Sequence, residues 1–196
     1  MKKIHALFAL VLLLTVSCGD GDHNNTVVYP TVNGALTVNG VTKNINKGYV
    51  IKPYTGTDPN YDQRRFYVIL SDGDVTLFNN DLVFSDNTHQ LIDFNLYTHE
   101  DAAGSVQNAT YNLYIPKTGF DMGNAFIDHT NISTNLVLQN GQVVSGDGLD
   151  SDDMDAGQLT LAHTDGVYTL AFSFSNDGNT VSGNFTGTLT ELIYEY

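Results

Sequence analysis

The sequence predicts an all-β protein, and three observations carry that expectation. After the first seventeen residues no useful length of chain repeats its apolar residues at helical spacing. Short runs rich in Val, Ile, Tyr, Phe and Thr alternate with Asn-Gly, Asp-Gly and Asn/Ser clusters. Two of those turns set strand registers independently, and the registers agree. About ten strands sharing one core predict a single-domain antiparallel two-sheet sandwich, with an up-and-down, lipocalin-like barrel as the alternative. No period of solenoid length is present.

The chain opens MKKIHALFALVLLLTVSC. Lys2 and Lys3 form a positive n-region, and Ile4 to Leu14 form an apolar h-region too short to span a bilayer. Leu14-Thr15-Val16-Ser17-Cys18 resembles the lipobox of bacterial lipoproteins, in which the cysteine becomes the lipidated first residue. Thr15 stands where that motif usually has an aliphatic residue. Cys18 is the single cysteine, so no disulfide within the chain competes for it. The expected organisation is a signal peptide over 1–17, a lipidated Cys18 with a polar tether over 18–33, and one all-β domain over 34–196. The expected address is the outer membrane, held by acyl chains rather than by a spanning segment. Gly19 after the cysteine fits that address, and Asp20 and Asp22 resemble the acidic tags of surface-exposed lipoproteins. Both the periplasmic and the cell-surface face stay open.

The strands follow in order. GALTVNGVTK reads as a hairpin over Asn39-Gly40, and GYVIKPY as the next strand. RRFYVIL is apolar on both faces (Phe66, Val68 and Leu70 against Tyr67 and Ile69) and should be central. LIDFNLY buries Ile92, Phe94 and Leu96, ATYNLYI carries Tyr111, Leu113 and Ile115, and NLVLQNGQVV is a hairpin over Asn140-Gly141.

The last third fixes a register. A turn at Asp165-Gly166 sets His163 opposite Tyr168, Leu161 opposite Leu170, and Leu159 opposite Phe172. A turn at Asp177-Gly178 sets Phe174 opposite Val181, Phe172 opposite Gly183, Leu170 opposite Phe185, and Tyr168 opposite Gly187. Both place Tyr168, Leu170 and Phe172 on one face, and a slip of one residue in either hairpin would expose one apolar set. Gly183 and Gly187 should lie under aromatic rings. Thr169, Ala171, Ser173, Ser182, Asn184, Thr186 and Thr188 should be solvated.

The lipobox, the Gly-aromatic early strand NKGYVIKPY and the closing strand Gly183-Asn184-Phe185-Thr186-Gly187-Thr188-Leu189, of the form G-x-[FY]-x-G-x-L, together resemble small all-β Bacteroidetes lipoproteins of uncharacterised function. The resemblance implies an all-β fold and an envelope address. It supplies no activity and no functional residues.

The formal net charge is −14, and loss of Lys2 and Lys3 with the leader deepens it. Such a field repels nucleic acid, so a DNA- or RNA-binding role is not expected, and it attracts cations. The acidic stretch SGDGLDSDDMDAGQ places Asp147, Asp150, Asp152, Asp153 and Asp155 within nine positions. Its spacing fails the D-x-[DN]-x-[DN]-G pattern of a calcium loop, because Met154 takes an alternate position and no glycine follows in place. The strand register adds a longer-range candidate. It brings Asp155 opposite Asn176, so Asp152, Asp153, Asp155 and Asp177 share one end of the sheet and form a candidate Ca2+ set. A hydrated acidic loop is the favoured reading of the two.

Histidines 23, 89, 99, 129 and 163 show no metal spacing. No G-x-S-x-G is present, so no nucleophile elbow is expected. Tryptophan is absent, which weighs against a glycan-stacking platform, and Tyr49, Tyr54 and Tyr61 are the aromatics expected at the surface. The sequence reading is a lipid-anchored, non-enzymatic envelope module that binds a protein or glycan partner through an unassigned ligand site. A lipocalin-like carrier of a small apolar ligand is the alternative, and a polysaccharide-active hydrolase is the third. A filled centre, an interior cavity and a cleft with paired carboxylates would mark the three in turn.

Overall fold

A computed structural model describes residues 32–52, 65–98, 105–115 and 125–194. Within them the chain forms fourteen strands: β1 (Asn33–Val38), β2 (Val41–Asn44), β3 (Lys47–Ile51), β4 (Arg65–Ser71), β5 (Val75–Phe78), β6 (Asp81–Phe84), β7 (Leu91–Tyr97), β8 (Ala109–Leu113), β9 (Phe126–Gln139), β10 (Gln142–Asp150), β11 (Ala156–Thr164), β12 (Val167–Asn176), β13 (Asn179–Gly187) and β14 (Thr190–Leu192). One 3₁₀ turn, Ser151–Asp153, separates β10 from β11. The fold is all-β, as the alternation and the turn residues require. Cys18, the tether as far as residue 31, Tyr54, Tyr61, His23 and His99 lie outside the described residues, while Asn33, placed in the tether by the sequence, begins β1.

Twelve strands form one sheet in the order β14-β3-β4-β7-β9-β8-β11-β12-β13-β1-β2, with β10 paired to β9 beside that path. The sheet curls because its end strands are continuous with each other's neighbours. β2 stays on β1 through the Ile45 N–H donating to the Gly34 carbonyl at 3.0 Å. One residue later the Asn46 N–H donates to the Ser71 carbonyl at 3.1 Å, and β3 then pairs with β4. β13, the other partner of β1, runs on into β14, which lies parallel to β3. Antiparallel pairing of β2 and β13 to the shared β1 makes their continuations parallel. The result is a curled sheet, sandwich-like in its packed centre and barrel-like in its outline.

Both deduced hairpins have the expected register. Leu161 pairs with Leu170 and Leu159 with Phe172; Leu170 pairs with Phe185 and Phe172 with Gly183. The turn residues adopt positive φ at both positions, as at Asp165 (51°) with Gly166 (80°) and Asp177 (40°) with Gly178 (91°). The face assigned to solvent, from Thr169 to Thr188, is exposed at every named position.

The concave side is filled. Leu36, Phe66, Val68, Phe94, Leu159, Leu170 and Phe185 have no exposed surface, and Phe94 contacts Phe172 at a centroid distance of 5.4 Å. Each such side chain stabilises the fold by about 1.5–3 kcal/mol through burial. A side-chain carbon added at Gly183 would stand 2.3 Å from the Phe172 ring, so the ring does cover that backbone. Gly187 differs, because Val32 and the Phe185 ring cover it while Tyr168 stacks on His163 at 4.3 Å.

Three features depart from expectation. Two short parallel pairings occur, β3 with β14 and β8 with β9, in a sheet that is otherwise antiparallel. β5 and β6 form a separate hairpin over Asn79 (φ 51°) and Asn80 (φ 67°), a turn that lacks the glycine by which the others announce themselves. That hairpin contributes Val75, Leu82 and Phe84 to a second apolar cluster with Ile69, Leu91, Leu136 and Leu138. Tyr49 joins this cluster and is only 6% exposed, so it is a packing residue and not the surface aromatic the sequence suggested.

Candidate functional site

Two places concentrate chemistry, and a bulge in β9 shapes the first. Between Thr134 and Val137, β9 inserts an extra residue against β10, with Asn135 in the left-handed region at φ 53°. A bulge of this kind reverses which face the following side chains meet. Ile132 therefore belongs to the inner core, whereas Leu136 and Leu138 belong to the outer cluster.

The first place is a cleft of about 390 Å³ at the end of the curled sheet, between the β1–β2 hairpin and the β9–β10 ribbon. On one side, Val41 pairs with Val38 and Lys43 with Leu36, so these four share the inward face. On the other, Leu149 pairs with Ile132 and Asp147 with Thr134. Val38, Ile132 and Leu149 give the cleft an apolar floor continuous with the core. Asn39, Asn135 and Asn179 border it, and each is held: Asn39 Nδ2 donates to Asn179 Oδ1 at 2.8 Å, and Asn135 Nδ2 donates to Asp147 Oδ2 at 2.7 Å. A volume in the small-ligand range, an apolar floor and fixed polar groups at the rim are what a ligand site requires. No spacing in the sequence marked this cleft, because the β9 bulge and the curl of the sheet create it.

The second place lies on the outer face of β4, β7 and β9. Asp93 is 3% exposed, directly across from Asn131, and accepts a hydrogen bond from the Tyr67 hydroxyl. Burial pushes its carboxyl up to about 6, partly opposed by hydrogen bonds from Tyr67 and Asn131 and by nearby His129. Burial, reinforced by the Asp93 charge, likewise pushes the Tyr67 phenol well above its ordinary value. His129 Nδ1 lies 2.7 Å from Ser151 Oγ, and its Nε2 lies 3.6 Å from Asp150 Oδ2. This has the composition of a Ser–His–Asp set without its geometry. The imidazole–carboxylate separation is too long for a hydrogen bond, and Ser151 is buried. The contacts fasten the 3₁₀ turn onto β9.

The candidate calcium residues are arranged as follows. The acidic segment and the Asp177 turn do share one end of the sheet, for Asp155 donates its N–H to the Ser175 carbonyl at 2.9 Å. Asp155 Oδ2 accepts the Asp177 N–H at 2.9 Å, which joins these two residues through backbone rather than through paired carboxylates. The acidic side chains that do converge are Asp150 and Asp152, with His129, their ligand atoms all lying within 4.8 Å of one another. A donor set of one imidazole and two carboxylates suits a divalent ion such as Zn2+ better than Ca2+. Asp150 is already engaged, because its Oδ1 accepts the Asp152 N–H at 2.9 Å and caps the 3₁₀ turn. His163 stacks on Tyr168, while Asn108 holds its backbone, donating to the His163 carbonyl and accepting its N–H.

Fold and site together define an all-β protein with a filled core and a cleft of about 390 Å³ at one end of a curled sheet. Comparison with protein-family models, with curated proteins and with solved structures finds no match for the chain. No helix among the described residues is long and apolar enough to cross a membrane.

Proposed function

We propose that this is a lipid-anchored protein of the bacterial outer membrane, a non-enzymatic binding module that takes its ligand in the 390 Å³ cleft between the β1–β2 hairpin and the β9–β10 ribbon. The cleft is the observation that carries the reading. The filled centre favours it over a carrier that holds its ligand inside the barrel, since Tyr111, Phe66, Phe94 and Phe185 occupy that space. It is favoured over a hydrolase because the cleft brings one carboxylate, Asp147, rather than a pair.

The lipobox at Cys18 supports the anchor, and the direction of β1 supports an outward-facing cleft. β1 begins at Asn33, next to the tether, and reaches the cleft at Val38. Five steps of extended chain separate those residues by about 17 Å. That separation supports a cleft opening away from the anchored end, beside the Asp177 turn and the acidic segment. The test has two arms. Cys18→Ala should abolish labelling by a fatty-acid analogue and release the protein from the membrane fraction; retained labelling overturns the anchor. Thr134→Trp, which fills the cleft, should remove small molecules that native mass spectrometry finds bound to the purified protein; an unchanged bound species overturns the cleft.

A further inference from the structure

The cleft carries one charge of each sign on opposing walls, above an apolar floor of Val38, Ile132 and Leu149. Lys43 lies opposite Leu36, a fully buried core residue. Asp147 lies opposite Thr134 on the facing ribbon. Elsewhere the described basic side chains have carboxylate partners: Lys47 with Asp74, Lys52 with Glu191 at 2.5 Å, and Arg65 with Asp128 at 3.1 Å. Lys43 has none among the described residues, in a chain of net charge −14, although Asp147 borders the same cleft. The walls hold the two charges farther apart than an ion pair. Asp147 borders the cleft, and its Oδ2 accepts a hydrogen bond from Asn135 Nδ2.

We infer that the cleft takes a short zwitterionic peptide. This rests on the cleft being the ligand site and assigns its chemistry. The peptide carboxylate meets Lys43, its α-ammonium meets the Asp147 carboxylate, and its apolar side chains lie on Val38, Ile132 and Leu149. Opposite charges at the two ends of an apolar body match a cleft with Lys43 on one wall, Asp147 on the other and an apolar floor. A neutral sugar brings no opposite charge to either residue, and an anionic amphiphile brings one to Lys43 but none to Asp147. The 390 Å³ volume limits the ligand to a few residues.

The experiment is calorimetric titration of the full-length protein with Leu-Leu, N-acetyl-Leu-Leu and Leu-Leu amide. Lys43→Met should weaken Leu-Leu and the N-acetyl derivative about tenfold and leave the amide unchanged. Asp147→Asn should weaken Leu-Leu and the amide by a similar factor and leave the N-acetyl derivative unchanged. Losses that ignore which end of the peptide is blocked overturn the charge assignment. So does failure of all three peptides to bind. In that case methyl NMR separates the two levels. Shifts at Val38, Ile132 and Leu149 with a low-molecular-weight envelope extract keep the cleft as a site for another ligand, and their absence removes the cleft as well.

Discussion

The backbone N–H of Asp177 donates to Oδ2 of Asp155 at 2.9 Å, tying the turn between β12 and β13 to the residue that leads into β11. A carboxylate spent on a backbone donor is a local staple, and here it joins the two segments at the acidic end of the sheet. Asp155→Ala should therefore lower stability by about 1 kcal/mol, and Asp155→Asn by less, because the amide oxygen still accepts. Chemical denaturation measures both. Equal losses for the two variants would show that the charge, rather than the acceptor, matters.

The same staple bears on calcium. With Asp155 engaged by the Asp177 backbone, the melting temperature should be insensitive to EDTA and to millimolar Ca2+. A calcium-dependent rise that disappears in the double variant Asp153→Asn, Asp155→Asn would instead establish the Asp152, Asp153, Asp155, Asp177 set as a metal site. If Zn2+ raises the melting temperature, the rise should vanish with His129→Ala, since His129 supplies the nitrogen of the cluster with Asp150 and Asp152.

Asp93 should give stability a distinctive pH dependence. Its carboxyl stands near 6 in the folded protein against an ordinary value of 3.8, so the folded state holds this proton more tightly than the unfolded chain. The acid is protonated in both states below about pH 4, and stability from this group is greatest there. It falls as pH rises from about 4 to 6, by about 3 kcal/mol, and is level above that window. Asp93→Asn has no such titration. The stability difference between the two proteins, measured in urea from pH 4 to 7, should change by that amount; parallel profiles would remove Asp93 as the titrating group.

Asp72 joins the turn after β4 to the segment before β7. Its Oδ1 accepts the N–H groups of His89 (2.8 Å) and Gln90 (3.0 Å), and its Oδ2 accepts Gln90 Nε2 at 2.7 Å. Asp72→Ala removes all three acceptor contacts and should cost about 2 kcal/mol. Thermal melts of Asp72→Ala and Asp72→Asn would check it, with the amide variant the more stable.

Glycine positions test the packing. Gly183→Ala would drive a carbon to 2.3 Å from both the Phe172 ring and the Ala35 carbonyl and should destabilise by about 1–3 kcal/mol. Gly148 has open space around it, and Gly148→Ala should be close to neutral. Similar losses at the two sites would contradict the placement of Phe172 over Gly183.

Much of the fold was legible because its strongest signals are local. Asp165-Gly166 and Asp177-Gly178 fixed turns, and the apolar set Leu159, Leu170, Phe172 and Phe185 admitted a single register across them. The hairpin over Asn79-Asn80 lacked the glycine cue, and with it went the cover over Tyr49 and Ile69. The burial of Asp93 is not legible in LIDFNLY, because the alternation that buries Ile92, Phe94 and Leu96 cannot reveal a second layer on the other face. The cleft was illegible for another reason. Its walls come from β1–β2 and β9–β10, about ninety residues apart, and its shape depends on the Asn135 bulge, which changes facing without a change in composition.

The measurement that bears most directly on the binding role is a methyl NMR titration of the full-length protein with the low-molecular-weight fraction of an envelope extract, observing Val38, Val41, Ile132 and Leu149 together. If the cleft is the ligand site, these four methyl groups shift in concert and Thr134→Trp abolishes the response. Shifts confined to other methyl groups, or a response unchanged by Thr134→Trp, would contradict it.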